Sequence, residues 1–186
     1  MDTARIGPAY NKQILRFFIK LFILVTVWFF SYNVFLRPHR VIDKPLTNFI
    51  ASAVTSCINI LTHPADIITW KALNDKTGAI LVQNGKKVFG IWDVCNGIDL
   101  MFIYAGVLAL LPYPAKRKIF FTLAGIAAIT LANILRVFFL YVIYKNYPQA
   151  FDFSHHYLFT ILLYLLIFCG WILFIKKGRE HNEKSS

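Results

Sequence analysis

The chain has 186 residues, of which 58% are hydrophobic, 17% aromatic and only 16% charged, and its mean hydropathy is +0.56. Soluble domains spend about a quarter of their residues on charge, so this composition excludes one large water-soluble core and points to membrane spans. The net charge is +11, but the basic residues gather beside the ends of apolar runs, where they orient a membrane protein and meet anionic lipid, and nucleic acid is not expected as a partner.

Residues 1–10 are polar, with neither an apolar h-region nor a small-residue cleavage site, so no removable signal peptide is expected. The first apolar run, residues 14–36, is long enough to span; Arg16 and Lys20 near its start can snorkel towards headgroups. Residues 37–94 follow as an extramembrane segment. Within it, 46–61 places Leu46, Phe49, Ile50, Ala53, Val54, Cys57, Ile58 and Leu61 on one helical stripe. An amphipathic helix lying in the interface is expected there, and its insertion as a further span would upset an even count. Residues 79–92 read as a β-hairpin, because Asn84-Gly85 is a strong type I′ turn signal between two β-prone runs.

The second apolar run, 95–111, is at the lower limit of what crosses ~30 Å of hydrocarbon. Pro112 and Pro114 stop it, and Lys116-Arg117-Lys118 follow. The third run, 119–144, can cross with tilt, and the fourth, 155–175, ends in a basic tail, 176–186. Residues 179–186 are charged and read as disordered. The expected fold is therefore an all-α polytopic membrane protein forming a single membrane domain over 1–186. It has about four transmembrane helices, an outer amphipathic helix and a small hairpin.

Four spans would put Arg5, Lys12, Arg16 and Lys20, then Lys116, Arg117 and Lys118, then Lys176, Lys177, Arg179 and Lys184 on one side. The positive-inside rule makes that side the cytoplasm, with both termini there and residues 37–94 outside.

Ionisable groups within or at the rim of a membrane are costly and call for a reason. Arg136 interrupts an apolar helix eighteen residues after Lys118, or ~27 Å along its axis, which puts it near the outer boundary. A snorkelling arginine is the plain alternative. Asn133 shares its face and could orient the guanidinium. Cys95 stands at the same level, where the hairpin enters the second span. A thiol at a helix N-terminus is favoured as thiolate, and such a cysteine would label faster than an ordinary thiol at neutral pH. Gly97 would permit an unusual turn or close backbone approach. Asp99, one turn further in, could hold a histidine or Arg136, or act on the helix start.

His155 and His156 open the fourth span, again at the outer side. Adjacent helical residues point about 100° apart, so one of the two is expected to face a site. No third histidine or carboxylate has metal-ligand spacing, so no metal is expected, and no cofactor is implied. Cys57 and Cys169 read as inert: one lies on an apolar stripe, the other deep in the fourth span. With three cysteines and no CxxC pair, neither a disulfide framework nor a structural zinc site is expected. A thiolate, a base and a fixed cation are the parts of cysteine acyl transfer: the histidine takes the thiol proton, the thiolate attacks a carbonyl, and the arginine stabilises the developing negative charge.

Cys95-Asn96-Gly97, Asn133-Ile134-Leu135-Arg136 and a histidine opening the next helix resemble the exosortase/archaeosortase family in order and spacing. The short length, with a helix and hairpin before the cysteine, is similar to the compact exosortase-related proteins of Bacteroidetes, the type called XrtF. The resemblance implies a multi-pass inner-membrane cysteine protease and transpeptidase whose active site faces the periplasm. Its partners would be exported proteins bearing a C-terminal sorting signal, membrane lipid and a lipid-linked acceptor nucleophile. By the same resemblance Cys95 would form a thioester, and Arg136 and one of the histidines would complete the site; Asn96, Gly97, Asp99 and Asn133 are the expected supporting residues around it. His155 is the favoured base. Asn96 departs from the Ser or Ala that many members carry after the cysteine. The competing reading is a non-catalytic membrane accessory for surface assembly or export, which would tolerate change at Cys95. A small transporter is a weaker reading, since no broken-helix pair or set of midplane charges is present.

Overall fold

A computed structural model describes residues 8–61, 67–73 and 78–184. Arg5 and the last two residues of the tail lie outside the described residues.

Helix α1 (Pro8–Ser31) continues through a π-turn at Tyr32–Leu36 and a last short turn at Arg37–His39. Arg40 ends it in the left-handed conformation, φ 50°. Helix α2 (Asp43–Leu61) precedes the sheet strands β1 (Ile68–Ala72), β2 (Gly78–Gln83) and β3 (Lys86–Trp92). A single 3-10 turn, Asp93–Cys95, leads into α3 (Ile98–Leu110). Helix α4 (Ala115–Asn146) follows. After it come short turns at Pro148–Ala150 and Phe151–Phe153, a second π-turn at Ser154–Leu158, and α5 (Phe159–Lys184).

Among the described residues, three stretches are long and apolar enough to cross a membrane: Lys12–His39, Ala115–Asn146 and Pro148–Lys177. The expected second span is shorter than its apolar run. Residues 95–97 are not α-helical and Leu111 is extended before the prolines, which leaves the 13 residues of α3, about 20 Å of helix. The chain is a mostly helical polytopic membrane protein, with three long apolar helices, one short one and a small sheet among the described residues. The tail differs from expectation: α5 runs unbroken to Lys184, because lysine, arginine and glutamate are good helix formers once the helix leaves the apolar region.

The sheet has three strands rather than two, in the order β1-β2-β3 and antiparallel throughout. Asn84 and Gly85 take φ values of 51° and 75°, the positive pair a type I′ turn needs. Ile68–Ala72 adds the third strand, pairing Ile68 with Gln83 and Ala72 with Ala79. Leu81 pairs with Phe89 and Val82 with Lys87, which leaves Val88 as a bulge in β3.

Helix α2 lies against this sheet and α4. Ile50, Ala51, Val54 and Ile58 meet Leu81, Ile91, Val137 and Tyr141 in one buried cluster. The buried face is rotated from the expected stripe: Thr47 and Thr55 are covered, whereas Phe49 and Leu61 are exposed. Thr47 turns inward because its hydroxyl donates to Asp93 Oδ1 at 2.8 Å. A second cluster joins α3, α4 and α5 around Tyr104, Leu108, Ile129, Ile167 and Phe174. In lipid, helices associate through close packing rather than through the hydrophobic effect. The Tyr104 ring accordingly lies against Gly125 and Gly170, where any added methyl would overlap it.

Helix α1 is peripheral. It is tied to α3 by Trp28, whose ring stacks on Phe102 with centroids 3.9 Å apart and whose Nε1 donates to Asp99 Oδ1 at 3.1 Å.

Candidate active site

Cys95, Arg136 and His155 come from three separate elements and line one cavity of about 140 Å³ at the sheet-bearing end of the bundle. Phe89, Gly90, Ile91 and Trp92 of β3, Val137 and Leu140 of α4, and Phe151 complete its wall.

The cysteine is positioned by its neighbours in the chain. Asp93 begins the 3-10 turn and is buried. Arg40 grips it with two bonds, Nε to Oδ2 at 2.6 Å and Nη2 to Oδ1 at 3.0 Å. The left-handed backbone at Arg40 turns the chain back towards this carboxylate. Asn96, fully buried, donates Nδ2 to Asp43 Oδ1 at 2.7 Å and accepts the Ile98 amide at 2.9 Å on Oδ1. Tyr32 donates its hydroxyl to the same Asp43 oxygen at 2.8 Å. Gly97 takes φ 83°, a conformation that costs glycine nothing and that side chains rarely adopt. It lets the chain leave the turn and start α3 at Ile98. Asn133 reaches across from α4 and donates Nδ2 to the Cys95 carbonyl at 2.8 Å. The backbone on both sides of the thiol is thus fixed by buried polar contacts, which is how a reactive group is held in one geometry.

His155 Nε2 lies 3.7 Å from Cys95 Sγ, within reach of an S–H donor. The π-turn at Ser154–Leu158 sets the imidazole's direction, in keeping with the frequent use of π-bulges at functional sites. Phe151 stacks parallel to the ring at 5.7 Å, with planes 3° apart. His156 points elsewhere: it is exposed, and its Nδ1 contacts the Asp152 carbonyl at 3.1 Å. The geometry therefore separates the two histidines, which adjacency in sequence left open.

Arg136 is half-buried, and its Nε is enclosed without a hydrogen-bond partner among the described residues. An unpaired buried guanidinium N–H is costly. It is the kind of donor that an entering carbonyl oxygen or oxyanion would satisfy.

Three expectations are corrected. Asn133 does not orient Arg136; it holds the Cys95 backbone. Asp99 contacts neither a histidine nor Arg136, since it faces α1 and accepts from Trp28. Cys95 does not stand in the first turn of α3. It closes a 3-10 turn ahead of α3, and burial pushes its thiol above the ordinary range, with the nearby Arg136 charge offsetting this only in part. Cys57 and Cys169 are free thiols, as is Cys95. Among the described residues no cluster of three or more metal-ligating side chains occurs.

Sequence reasoning passed over Phe151, Asp43 and the Arg40–Asp93 pair. The available signal is Asp93, an acid two residues before the cysteine at the entry to an apolar run.

No curated protein and no solved structure matches the chain. The transmembrane exosortase family (Exosortase_EpsH) matches over residues 6–175, which include every residue of this site. Members of that family are generally cysteine peptidases or transpeptidases that process protein-sorting signals. With its apolar helices and a match over most of its length, this chain is a membrane-embedded sorting-signal processing protein that belongs to the transmembrane exosortase family.

Proposed function

We propose that the protein is a cysteine protease/transpeptidase of the inner membrane, with Cys95 as nucleophile, His155 as base and Arg136 as the oxyanion donor. The single observation that carries this reading is the 3.7 Å approach of Cys95 Sγ to His155 Nε2 in a cavity that Arg136 also lines.

The resting pair holds the proton on sulfur, because burial disfavours the thiolate. When a substrate carbonyl enters, His155 Nε2 takes that proton as sulfur adds to the carbonyl carbon. Negative charge develops on the carbonyl oxygen, and the unpartnered Arg136 Nε–H is placed to receive it. Collapse of the tetrahedral adduct breaks the C–N bond, and His155 passes its proton to the leaving amine. The acyl group stays on Cys95 as a thioester. A nucleophile, either water or a group on a lipid-linked acceptor, then attacks this carbonyl, and the thiol is restored with the proton the nucleophile loses.

The substrates in this reading are exported proteins with a C-terminal signal composed of a short motif, a spanning helix and a basic tail. Counting α3 as a crossing puts Lys116, Arg117 and Lys118 on the cytoplasmic side together with both termini, and the sheet and cavity on the periplasmic side. The test compares membrane fractions of cells carrying the wild-type chain or Cys95→Ala. Unprocessed precursors with such signals should accumulate in the variant while the protein stays at its normal membrane level. Unchanged processing would end the proposal.

A further inference from the structure

A second cavity of about 360 Å³ opens beside the first and shares Phe89, Gly90, Trp92 and Phe151 with it. Tyr144 and Lys87 extend its wall outward. Two features indicate what it accepts.

The first is the backbone. β3 pairs with β2 on one side and is the last strand of the sheet, so among the described residues its other edge has no strand partner. Such an edge presents alternate N–H and C=O groups to any extended chain. Lys86, Lys87 and the bulge at Val88 blunt its first half. The regular part that remains, Phe89 to Trp92, runs directly into the Asp93–Cys95 turn. On β3, Gly90 and Trp92 share a face with Ile80 of β2, whereas Phe89 points to the other; all four line the cavity, which covers part of that face and reaches around the open edge.

The second is the lining. Phe89 packs on Tyr144 and Phe151 at centroid distances of 5.7 Å and 6.2 Å. Trp92 and Tyr144 remain about half exposed, at 45% and 49%. This aromatic wall suits one apolar side chain, and the Trp92 indole lies directly over Gly90, where a side chain would otherwise stand.

We propose that the outer edge of β3 is the docking strand for the polypeptide substrate. An extended segment of the exported protein pairs its backbone with Phe89–Trp92 and seats an apolar side chain against Phe89, Trp92, Tyr144 and Phe151, which brings the adjoining peptide bond to Cys95. This rests on the cysteine protease/transpeptidase reading above. Strand addition supplies affinity through the main chain and specificity through one pocket, which suits an enzyme that must accept many proteins sharing a short motif.

The probe is an exported protein whose precursor accumulates in cells carrying Cys95→Ala. Proline is placed singly at each of the residues flanking its cut site, and processing by wild-type enzyme is followed in cells. Proline removes one backbone donor, and in a strand only every second donor faces the neighbour. The expected result is an alternation: processing slows about tenfold at every second position and by less than about threefold between them. Trp92→Ala and Tyr144→Ala in the enzyme should slow formation of the acyl-enzyme on the unmodified precursor. Uniform tolerance or uniform loss along the proline series overturns the docking strand while leaving the protease intact. Acyl-enzyme that forms normally but persists in Trp92→Ala would make the cavity an acceptor site instead, and would also overturn it. If no precursor accumulates in Cys95→Ala, the underlying reading fails and this inference with it.

Discussion

Asn133 Nδ2 and the carbonyl oxygen of Cys95 are joined by a 2.8 Å hydrogen bond that bridges α4 to the turn carrying the thiol. The same helix presents Arg136 three residues later, so one rigid element fixes both the Cys95 backbone and the cation lining its cavity. Replacing Asn133 with Ala removes the donor and leaves a half-buried carbonyl unsatisfied, at a cost of about 1–3 kcal/mol. Precursor processing should fall by about tenfold or more, with the protein still in the membrane. Asn133→Asp should be no better, because a carboxylate cannot donate to a carbonyl.

The two histidines should behave differently despite adjacency. His155→Ala removes the group at 3.7 Å from the thiol and should lower processing by about 10²–10⁴-fold, the usual worth of a positioned acid–base group. His156→Ala should stay within about threefold of wild type, since His156 faces outward onto the Asp152 carbonyl. Equal losses in the two variants would contradict the assignment.

Cys95 should be a slow thiol at neutral pH. Burial raises its proton affinity, so only a small fraction is thiolate near pH 7, and the fraction grows as pH climbs above the ordinary thiol range. Iodoacetamide labelling in a Cys57→Ser, Cys169→Ser background should therefore be slower than for a free thiol and should accelerate with pH. Arg136→Ala removes the charge that opposes the shift, so its labelling profile should move to still higher pH. A profile moving to lower pH would contradict the placement of Arg136 beside the thiol.

The Arg40–Asp93 pair should matter for folding more than for chemistry. Its side chains are 14% and 7% exposed, and breaking a buried pair from one side costs about 3–5 kcal/mol because a charge is left without its partner. Asp93→Ala should lower the thermal midpoint of the purified protein clearly. Adding Arg40→Ala should cost less than the sum of the two single changes.

Much of this architecture is legible in the sequence because the membrane imposes it. A long apolar run must be a helix, and Asn84-Gly85 must be a turn, since each signal is local. The convergence of Cys95, Arg136 and a histidine is legible for a similar reason: counting residues along each apolar run from its basic flank puts all three near one membrane depth. Contacts made by short side chains across long sequence distances are not legible. Asp43 with Asn96, Arg40 with Asp93 and Asp99 with Trp28 are pairings that no spacing rule announces. The buried phase of α2 departs from the apolar stripe because Thr47 counts as polar in a helical pattern, although its hydroxyl is satisfied inside by Asp93. The choice between His155 and His156 depended on a π-turn that ordinary helical periodicity does not anticipate. The strand at Ile68–Ala72 is only five residues long, too short for its alternation to stand out in the sequence.

The most direct test of the account is to look for the covalent intermediate. Wild-type protein, purified in lipid nanodiscs and mixed with an accumulated precursor, should carry a hydroxylamine-sensitive acyl adduct on Cys95 by mass spectrometry. The adduct should be absent from Cys95→Ala and sharply reduced in His155→Ala. Processing that proceeds at the wild-type rate with Cys95 unmodified, or an adduct mapping to Cys57 or Cys169, would contradict the central claim.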